Sequence, residues 1–184
     1  MDYVLLTHLH TDHCGWNTRL EDSRWVPTFP NAQYFMPRVD ADYYASPASH
    51  NEVNIPSQGN YEDSVAPIIE AGLARYIEAE GGMVLGVFEY QPTGGHSLGH
   101  MAIRLRSGGQ EALFWGDMLH SPAQAPSPEW NSVFDEFLPE SEAARRAMLA
   151  QATDGHPLVL TTHFPSSSAG YVSRQGDAYT WTYT

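Results

Sequence analysis

The most constraining feature of this chain is a cluster of metal-ligand residue types close to its start, in the segment His8-Leu9-His10-Thr11-Asp12-His13. Neutral imidazole nitrogens and carboxylate oxygens bind borderline divalent ions such as Zn²⁺ at about 2.0 to 2.2 Å. Residues two apart in an extended backbone point the same way, so His8 and His10 are expected to hold one ion. Asp12 and His13 can then turn toward another ion. The segment therefore predicts two adjacent metal sites.

Three further candidate ligands follow other strands predicted from the sequence. The apolar run at residues 2–7 ends where the first cluster begins, and it has no helical period. His96, Asp117 and His163 each come just after a predicted strand in the same way. Four strand ends that present ligands at one edge of a sheet would make one site.

These segments resemble the metallo-β-lactamase superfamily, whose members carry H-x-H-x-D-H in the loop after a buried strand. The T-G-G-H, G-D and T-T-H segments that end at His96, Asp117 and His163 match the later ligand blocks. The resemblance implies an α/β fold, the αββα sandwich, with two divalent metal ions, expected to be Zn²⁺. It implies the following ligand set: one ion held by His8, His10 and His96, the other by Asp12, His13 and His163, and Asp117 bridging both.

Members of this superfamily carry several strands before the H-x-H-x-D-H strand, and no such portion precedes the motif in this sequence. We therefore expect residues 1–184 to form a single metallo-β-lactamase-fold domain that is N-terminally incomplete. A non-catalytic remnant is the alternative from another functional class. The presence of every ligand position favours the sequence of an enzyme.

The surrounding residues resemble one branch of the superfamily more closely. The runs Cys14-Gly15-Trp16-Asn17-Thr18 and Gly116-Asp117-Met118-Leu119-His120-Ser121-Pro122 are similar to the quorum-quenching lactonases and the methyl-parathion-hydrolase-like enzymes. The expected reaction is attack by a metal-bridging hydroxide on a lactone or ester, with an N-acyl homoserine lactone as the leading substrate. An organophosphate triester is the alternative on the same site.

Catalytic roles are expected for Asp12, Asp117 and His120. His120 would contact the substrate or donate a proton to the leaving group, and a packing role is its alternative. His100 is expected to support the loop around His96 by hydrogen bonding, and not to bind metal. His50 lacks a partner motif and is expected at the surface.

One motif points to different chemistry. Gly95-His96-Ser97-Leu98-Gly99 satisfies G-x-S-x-G, and Ser97, Asp117 and His163 follow the chain order of a serine hydrolase triad. Such a nucleophile elbow needs a helix directly after the serine. Residues 101–106 instead alternate apolar and polar side chains, which predicts a strand. The motif also leaves the opening cluster unexplained, so we disfavour it.

The amino-acid composition limits the classes of molecule that this chain is expected to bind. The formal charge is -13 and the positive charges are all Arg, so nucleic acid would be repelled. No apolar run approaches the ~20 residues that span a bilayer, so no membrane partner is expected. A small-molecule substrate is expected, a homodimer stays open, and a cytoplasmic location is favoured without a signal that settles it. Without Lys, Schiff-base catalysis is excluded. The single cysteine, Cys14, is expected to be a small packing residue.

The first half of the chain is expected to alternate loops with short elements. Residues 16–30 are predicted to be a loop over the site mouth, whose Trp16, Trp25 and Phe29 either wall a pocket or pack on the core. The next expected elements are a strand at 33–36, a helical turn at 39–45, a long loop at 46–60 and a helix at 64–79 with Ser64 as its N-cap.

The second half is expected to hold more strands. A strand at 83–90 would lead to His96, and residues 101–115 would form a hairpin that ends at Gly116. A helix is predicted at 139–153, a buried strand at 158–162, and a terminal hairpin at 171–183.

Overall fold

Short apolar strands, separated by turns rich in glycine and proline, pair into two sheets. In the computed structural model, which describes residues 1–184, the smaller sheet is entirely parallel. Its strands lie in the order β1 (Tyr3–Leu5), β4 (Gln33–Pro37), β5 (Ala74–Ile77). Parallel neighbours need a crossover connection, and the chain supplies one between β4 and β5 through its helices.

The larger sheet has seven strands and is antiparallel except for one parallel pair, β9 with β10. Its order from one edge to the other is β12-β11-β10-β9-β8-β7-β6. These strands are β6 (Gly82–Val84), β7 (Phe88–Pro92), β8 (Met101–Ser107), β9 (Gln110–Phe114), β10 (Leu158–Leu160), β11 (Ala169–Gln175) and β12 (Ala178–Tyr183).

The helices are short except for the last. They are α1 (Thr11–Cys14), α2 (Arg38–Tyr44), α3 (Ala66–Glu70) and α4 (Leu138–Ala152). A separate two-stranded hairpin pairs β2 (Thr18–Glu21) with β3 (Arg24–Pro27). No helix combines the length and the apolar character needed to cross a membrane.

Three apolar clusters hold these layers together. Met148 and Leu149 of α4 pack on the outer face of the large sheet, in a cluster of 13 buried residues. Ile68 of α3 packs on the small sheet in a second cluster. Phe35 of β4 meets Ile103 of β8 in the third cluster, which joins the two sheets. The layers therefore run helix, sheet, sheet, helix, and the predicted αββα class is confirmed.

The prediction of one helix over residues 64–79 is wrong. A π-helical turn spans Tyr61–Val65, α3 ends at Glu70, and residues from Ala74 onward form β5. Gly72 has φ +71°, a left-handed conformation that ends the helix. Pairing of β5 with β4 then overrides the helical period of the apolar residues, because it satisfies backbone groups of the strand, and Ile77 of β5 is buried. Ser64 consequently lies inside the turn and does not cap a helix.

Two other predictions need correction. Residues 16–30 are not only a loop, because they contain a 3₁₀ turn at Gly15–Asn17 and the β2–β3 hairpin. The predicted strand at 83–90 is two strands, β6 and β7, joined by a tight turn in which Gly86 has φ +74°. Both errors arise from hairpins with too few residues for a clear alternating pattern.

The remaining elements follow their predictions. The strand β4, the helices α2 and α4, the β8–β9 hairpin and the terminal β11–β12 hairpin lie within a few residues of the expected bounds. The segment 46–60 is irregular apart from 3₁₀ turns at Pro47–Ser49 and Ile55–Ser57.

Candidate metal centre

All seven predicted ligands come from loops that leave strand ends or from the short helix α1. His8 and His10 follow β1, while Asp12 and His13 lie in α1. The other three follow strands of the large sheet: His96 follows β7, Asp117 follows β9 and His163 follows β10. The structure brings these side chains together in two adjoining groups. Their roles as ligands stay predictions.

The first group contains three buried histidines, His8, His10 and His96, whose nearest ring nitrogens lie within 4.8 Å of one another. Nδ1 of His10 is 2.9 Å from Nε2 of His96. Burial lowers the pKa of His8 well below its ordinary value, and the neighbouring histidines add to this effect. His8 is therefore neutral, which is the form that binds metal.

The second group contains Asp12, His13, Asp117 and His163. Nε2 of His13 lies 3.4 Å from Oδ2 of Asp12 and 3.0 Å from Oδ1 of Asp117. Burial alone would lower the pKa of His13, but the two carboxylates raise it to about 9. Nε2 of His163 lies 2.8 Å from Oδ2 of Asp117. A bound cation would replace the protons that these histidines now share with the carboxylates.

Asp117 stands between the two groups. Its Oδ1 faces His13, whereas its Oδ2 lies 3.5 Å from Nε2 of His96 and 3.3 Å from Nε2 of His120. Burial would raise the pKa of Asp117, but hydrogen bonds from His120, His13 and His163 hold it well below the usual range. Asp117 is therefore an ionised, buried carboxylate placed to serve both groups.

The donor set fits divalent cations. Nε2 of His8 is buried and has no hydrogen-bond partner within the chain, and Oδ1 of the buried Asp117 has only its 3.0 Å contact with Nε2 of His13. An unsatisfied buried polar atom costs about 1–3 kcal/mol, so such atoms usually mark a ligand position or a strained site. Here they point into clusters of imidazole and carboxylate groups, the ligand types that Zn²⁺ prefers.

Backbone geometry before Asp117 is specified by Gly116 and His100. Gly116 has φ +55°, and a Cβ atom there would lie 2.6 Å from Oγ1 of Thr7 and 2.8 Å from Nε2 of His100. Nε2 of His100 accepts a hydrogen bond from the backbone N–H of Asp117 at 3.2 Å, and its Nδ1 lies 2.8 Å from Oγ1 of Thr93. His100 was expected to support the loop around His96 by hydrogen bonding. Its Nδ1 contacts Thr93, which precedes His96 by three residues, but its Nε2 holds the Asp117 loop.

Asp40, a buried carboxylate that the sequence analysis missed, joins the loop that carries His8 and His10 to the loop that carries His96. It accepts hydrogen bonds from the backbone N–H groups of Leu9 and Gly99 and from the Ser97 hydroxyl. Leu9 lies between His8 and His10, and Ser97 follows His96. No local motif marks Asp40, because its partners are 31 to 59 residues away along the chain.

Two adjacent acidic residues, Asp135 and Glu136, were also missed. Oδ1 of Asp135 lies 3.0 Å from Nδ1 of His96, and Oε1 of Glu136 lies 3.6 Å from Nε2 of His10. Asp135 is paired in turn with the buried guanidinium of Arg145. The loop that carries the acidic pair precedes α4 and has no regular period, so no local pattern marks its position.

A cavity of about 420 Å³ opens onto both groups. Asp12, Asp117 and His120 lie on its wall with three of the histidines, and its apolar lining comes from Val53, Pro56 and Phe134. None of Trp16, Trp25 and Phe29 lines this cavity, so the pocket-wall alternative is wrong for all three. Phe29 packs against the second apolar cluster, whereas Trp16 is 82% exposed.

A larger cavity of about 630 Å³ lies between the sheets and is walled mainly by apolar side chains such as Phe88 and Ile103. Among the predicted ligands, it touches only His13. The smaller cavity is therefore the one that belongs to the candidate centre.

Comparison with known proteins identifies the family. The metallo-beta-lactamase superfamily model matches residues 1–163, and the chain belongs to this superfamily. A comparison with curated protein sequences finds no match.

Solved structures share the fold. The hydrolase AbOPH of the beta lactamase superfamily aligns with 100% of this chain and 64% of its own, at 24% identity and a TM-score of 0.88. AidC, a dizinc quorum-quenching lactonase, aligns with 100% of this chain and 64% of its own, at 21% identity and a TM-score of 0.82. A probable metal-dependent hydrolase from Staphylococcus aureus aligns with 100% of this chain and 63% of its own, at 24% identity and a TM-score of 0.80. The chain thus spans less than two thirds of the length of these proteins.

Proposed function

We propose that the protein is a dinuclear metal-dependent hydrolase that cleaves a lactone or ester, with an N-acyl homoserine lactone as the leading substrate. The observation that carries the proposal is the convergence of two ligand groups on Asp117. In this proposal His8, His10 and His96 hold one divalent ion, and Asp12, His13 and His163 hold the other. Asp117 would be shared by both. The dizinc centre named for AidC supports both the number and the identity of the ions.

Divalent ions held by these residues would supply a hydroxide nucleophile at neutral pH and would polarise the acceptor oxygen of the substrate. The chain's own residues then position the ester. Val53, Pro56 and Phe134 contact its apolar part and keep water from that side of the cavity. As the acyl carbon–oxygen bond breaks, a proton moves from Nε2 of His120 to the departing alkoxide oxygen.

The acidic surface supports a substrate without strong negative charge. A phosphotriester is the second candidate, favoured by the resemblance of residues 116–122 to the methyl-parathion-hydrolase-like enzymes. It offers an acceptor oxygen and an alkoxide or aryloxide leaving group to the same residues, so the ligand set does not separate the two substrate classes.

Metal analysis and kinetics test the proposal. The purified protein should contain close to two ions per chain, and a chelator should abolish hydrolysis. His8→Ala and Asp117→Ala should each lower the metal content, and unchanged metal content and activity in both variants would refute the metal assignment.

A panel of kcat/KM values then tests the substrate class. It should compare acyl homoserine lactones, aryl esters, paraoxon-type triesters and a β-lactam on the metal-loaded protein. A preference for the triester or the β-lactam of more than about 100-fold, or roughly 2.7 kcal/mol in transition-state binding, would rule out the lactonase proposal and leave the metal site intact.

A further inference from the structure

We propose that the adjacent carboxylates Asp135 and Glu136 are positioning residues, each of which fixes the ring orientation and tautomer of one histidine, Asp135 for His96 and Glu136 for His10. The inference rests on the proposed function, because it assumes that these two histidines share a metal ion.

The Asp135 side chain is fully buried and held from two directions. Its Oδ2 lies 3.0 Å from Nη2 of Arg145 and accepts a hydrogen bond from the backbone N–H of Ser132 at 2.8 Å. Its Oδ1 lies 3.0 Å from Nδ1 of His96. Because a carboxylate held in this way acts as an acceptor, Nδ1 of His96 carries the proton and Nε2 carries the lone pair.

The Glu136 carboxylate is held by donors from the last two residues of α2 and from the segment that follows it. It accepts hydrogen bonds from the hydroxyls of Tyr43 and Tyr44, both at 2.7 Å, and from the amides of Asn51 and Asn54 at 3.2 and 2.6 Å. Four donors match an ionised carboxylate, which only accepts. Its side chain is 1% exposed and faces Nε2 of His10.

The two carboxylates together turn one nitrogen of each histidine ring toward the other ring, in a contact that is unfavourable without a cation between them. With Nδ1–H of His96 directed at Asp135 and Nε2–H of His10 directed at Glu136, the remaining ring nitrogens both carry lone pairs. Those nitrogens lie 2.9 Å apart. Two lone pairs at this distance repel unless a proton or a cation lies between them, so the carboxylates prepare both rings to bind one cation.

The backbone of Glu136 is bound to the loop that carries His96. Its N–H donates to the carbonyl of His96 at 3.1 Å, and the next residue, Phe137, donates to the carbonyl of Gly95 at 2.8 Å. The acidic pair is thereby fixed to the His96 loop, while its side chains reach both histidines. If Asp135 and Glu136 only stabilised the fold, each carboxylate would not need to contact a different histidine ring.

The test uses the full chain and Zn²⁺, with affinity measured by competition with a chromophoric chelator. Glu136→Gln should bind one of its two ions about 10–100-fold more weakly than the wild type, and the other ion equally well. The control is Glu140→Gln, an exposed residue in the first turn of α4, which should change affinity less than 2-fold, roughly the scatter expected for surface substitutions.

A second readout separates positioning from general stabilisation. In ¹⁵N-resolved NMR spectra of the Zn²⁺-loaded wild type, the Nε2–H of His10 and the Nδ1–H of His96 should both be protected from exchange. Glu136→Gln should expose only the His10 proton, and Asp135→Asn should expose only the His96 proton. Loss of thermal stability with unchanged affinity and unchanged ring protons would overturn the inference.

The test can still be decided if Glu136→Gln fails to fold. Tyr44→Phe then removes one hydrogen-bond donor to Glu136 and keeps the aromatic ring, and it should measurably weaken binding of the same ion. Equal affinity in folded Tyr44→Phe would then count against the inference. A wild-type protein that binds no Zn²⁺ would refute the proposed function itself, whereas two tightly bound ions in every variant would refute only the positioning roles.

Discussion

The Ser97 hydroxyl donates a hydrogen bond to Oδ2 of Asp40 at 2.8 Å, and both side chains are buried. The hydroxyl proton is therefore committed to a carboxylate that also binds the backbone of the ligand loops. No helix follows Ser97, because the next element is the strand β8. The G-x-S-x-G match thus lacks the geometry of a nucleophile elbow, and the serine serves as a structural donor.

A serine-directed fluorophosphonate should accordingly fail to label the protein. Mass spectrometry of the intact chain after incubation measures this, with a known serine hydrolase as the positive control. Stoichiometric labelling that Ser97→Ala removes would revive the serine hydrolase alternative and would contradict the arrangement of Ser97 and Asp40.

Gly116→Ala should destabilise the protein more than Gly108→Ala does. The two glycines have similar backbone conformations, φ +55° and +58°, so the strain of a left-handed alanine, about 1–2 kcal/mol, is common to both. Only at position 116 does the new methyl group meet other atoms, those of Thr7 and His100. Overpacking of this kind costs a further ~1–3 kcal/mol.

Urea unfolding of the metal-free proteins compares the two variants, and metal titration follows. Gly116→Ala should also weaken metal binding, since it displaces the Asp117 loop, whereas Gly108→Ala lies in the β8–β9 turn with open space around it. Equal unfolding free energies of the two variants would contradict the predicted steric clash of a methyl group at position 116 with Thr7 and His100.

Arg145→Ala should lower the unfolding free energy by about 3–5 kcal/mol, the usual cost of leaving one member of a buried ion pair unpaired. The guanidinium is fully buried and binds Asp135, Ser141 and the backbone carbonyl of Met118. The matched control is Arg146→Ala, because the neighbouring Arg146 is exposed and pairs only with Glu142 and Glu129.

The control should change stability by less than about 0.5 kcal/mol in the same urea titration. If both arginine variants lose similar unfolding free energy, the buried ion pair of Arg145 and Asp135 contributes less to stability than we predict.

Local sequence patterns predicted that the seven candidate ligands lie close together, because most of them follow strands whose ends are marked by short apolar runs. His8, His10 and His163 required no knowledge of distant contacts. The supporting residues are different. Asp40, Asp135 and Glu136 act across 31 to 126 residues along the chain, and nothing in their own neighbourhood marks them. The same limit explains the error at 64–79, where pairing of β5 with β4 outweighs a helical pattern.

The buried face of α4 shows the same limit. The helix buries the polar residues Ser141 and Arg145 together with Met148 and Leu149. A charged residue enters the interior only because Asp135 neutralises it, and that partner lies outside the helix. Helical periodicity alone therefore undercounts the buried face.

Cys14 should resist thiol reagents in the native protein. Burial raises the pKa of its thiol to about 12, partly offset by the hydrogen bond from the Asn60 amide at 2.9 Å. The reactive thiolate is consequently scarce at pH 8, and the sulfur is inaccessible. Ellman's reagent should detect no thiol in the native protein and one per chain in guanidinium. Rapid reaction of the native protein would show that the α1 region opens.

His120→Ala should lower kcat most for substrates with poor leaving groups, if His120 supplies the proton in the proposed reaction. Its Nε2 lies 3.3 Å from Oδ2 of Asp117, and its ring stacks on His163 with an interplanar angle of 2°. The ring also borders the cavity near Phe134, so a leaving oxygen can approach it. General acid catalysis contributes about 10²–10⁴-fold, and alkoxides need it more than nitrophenolates do.

The measurement is kcat/KM for a series of esters whose leaving-group pKa spans several units. The His120→Ala plot should be steeper than the wild-type plot, with rates for nitrophenyl esters falling least. Metal content is determined on the same samples, because a variant that loses an ion would slow every substrate. A uniform loss across the series at full metal occupancy would contradict proton donation by His120 and would leave it as a packing residue beside His163.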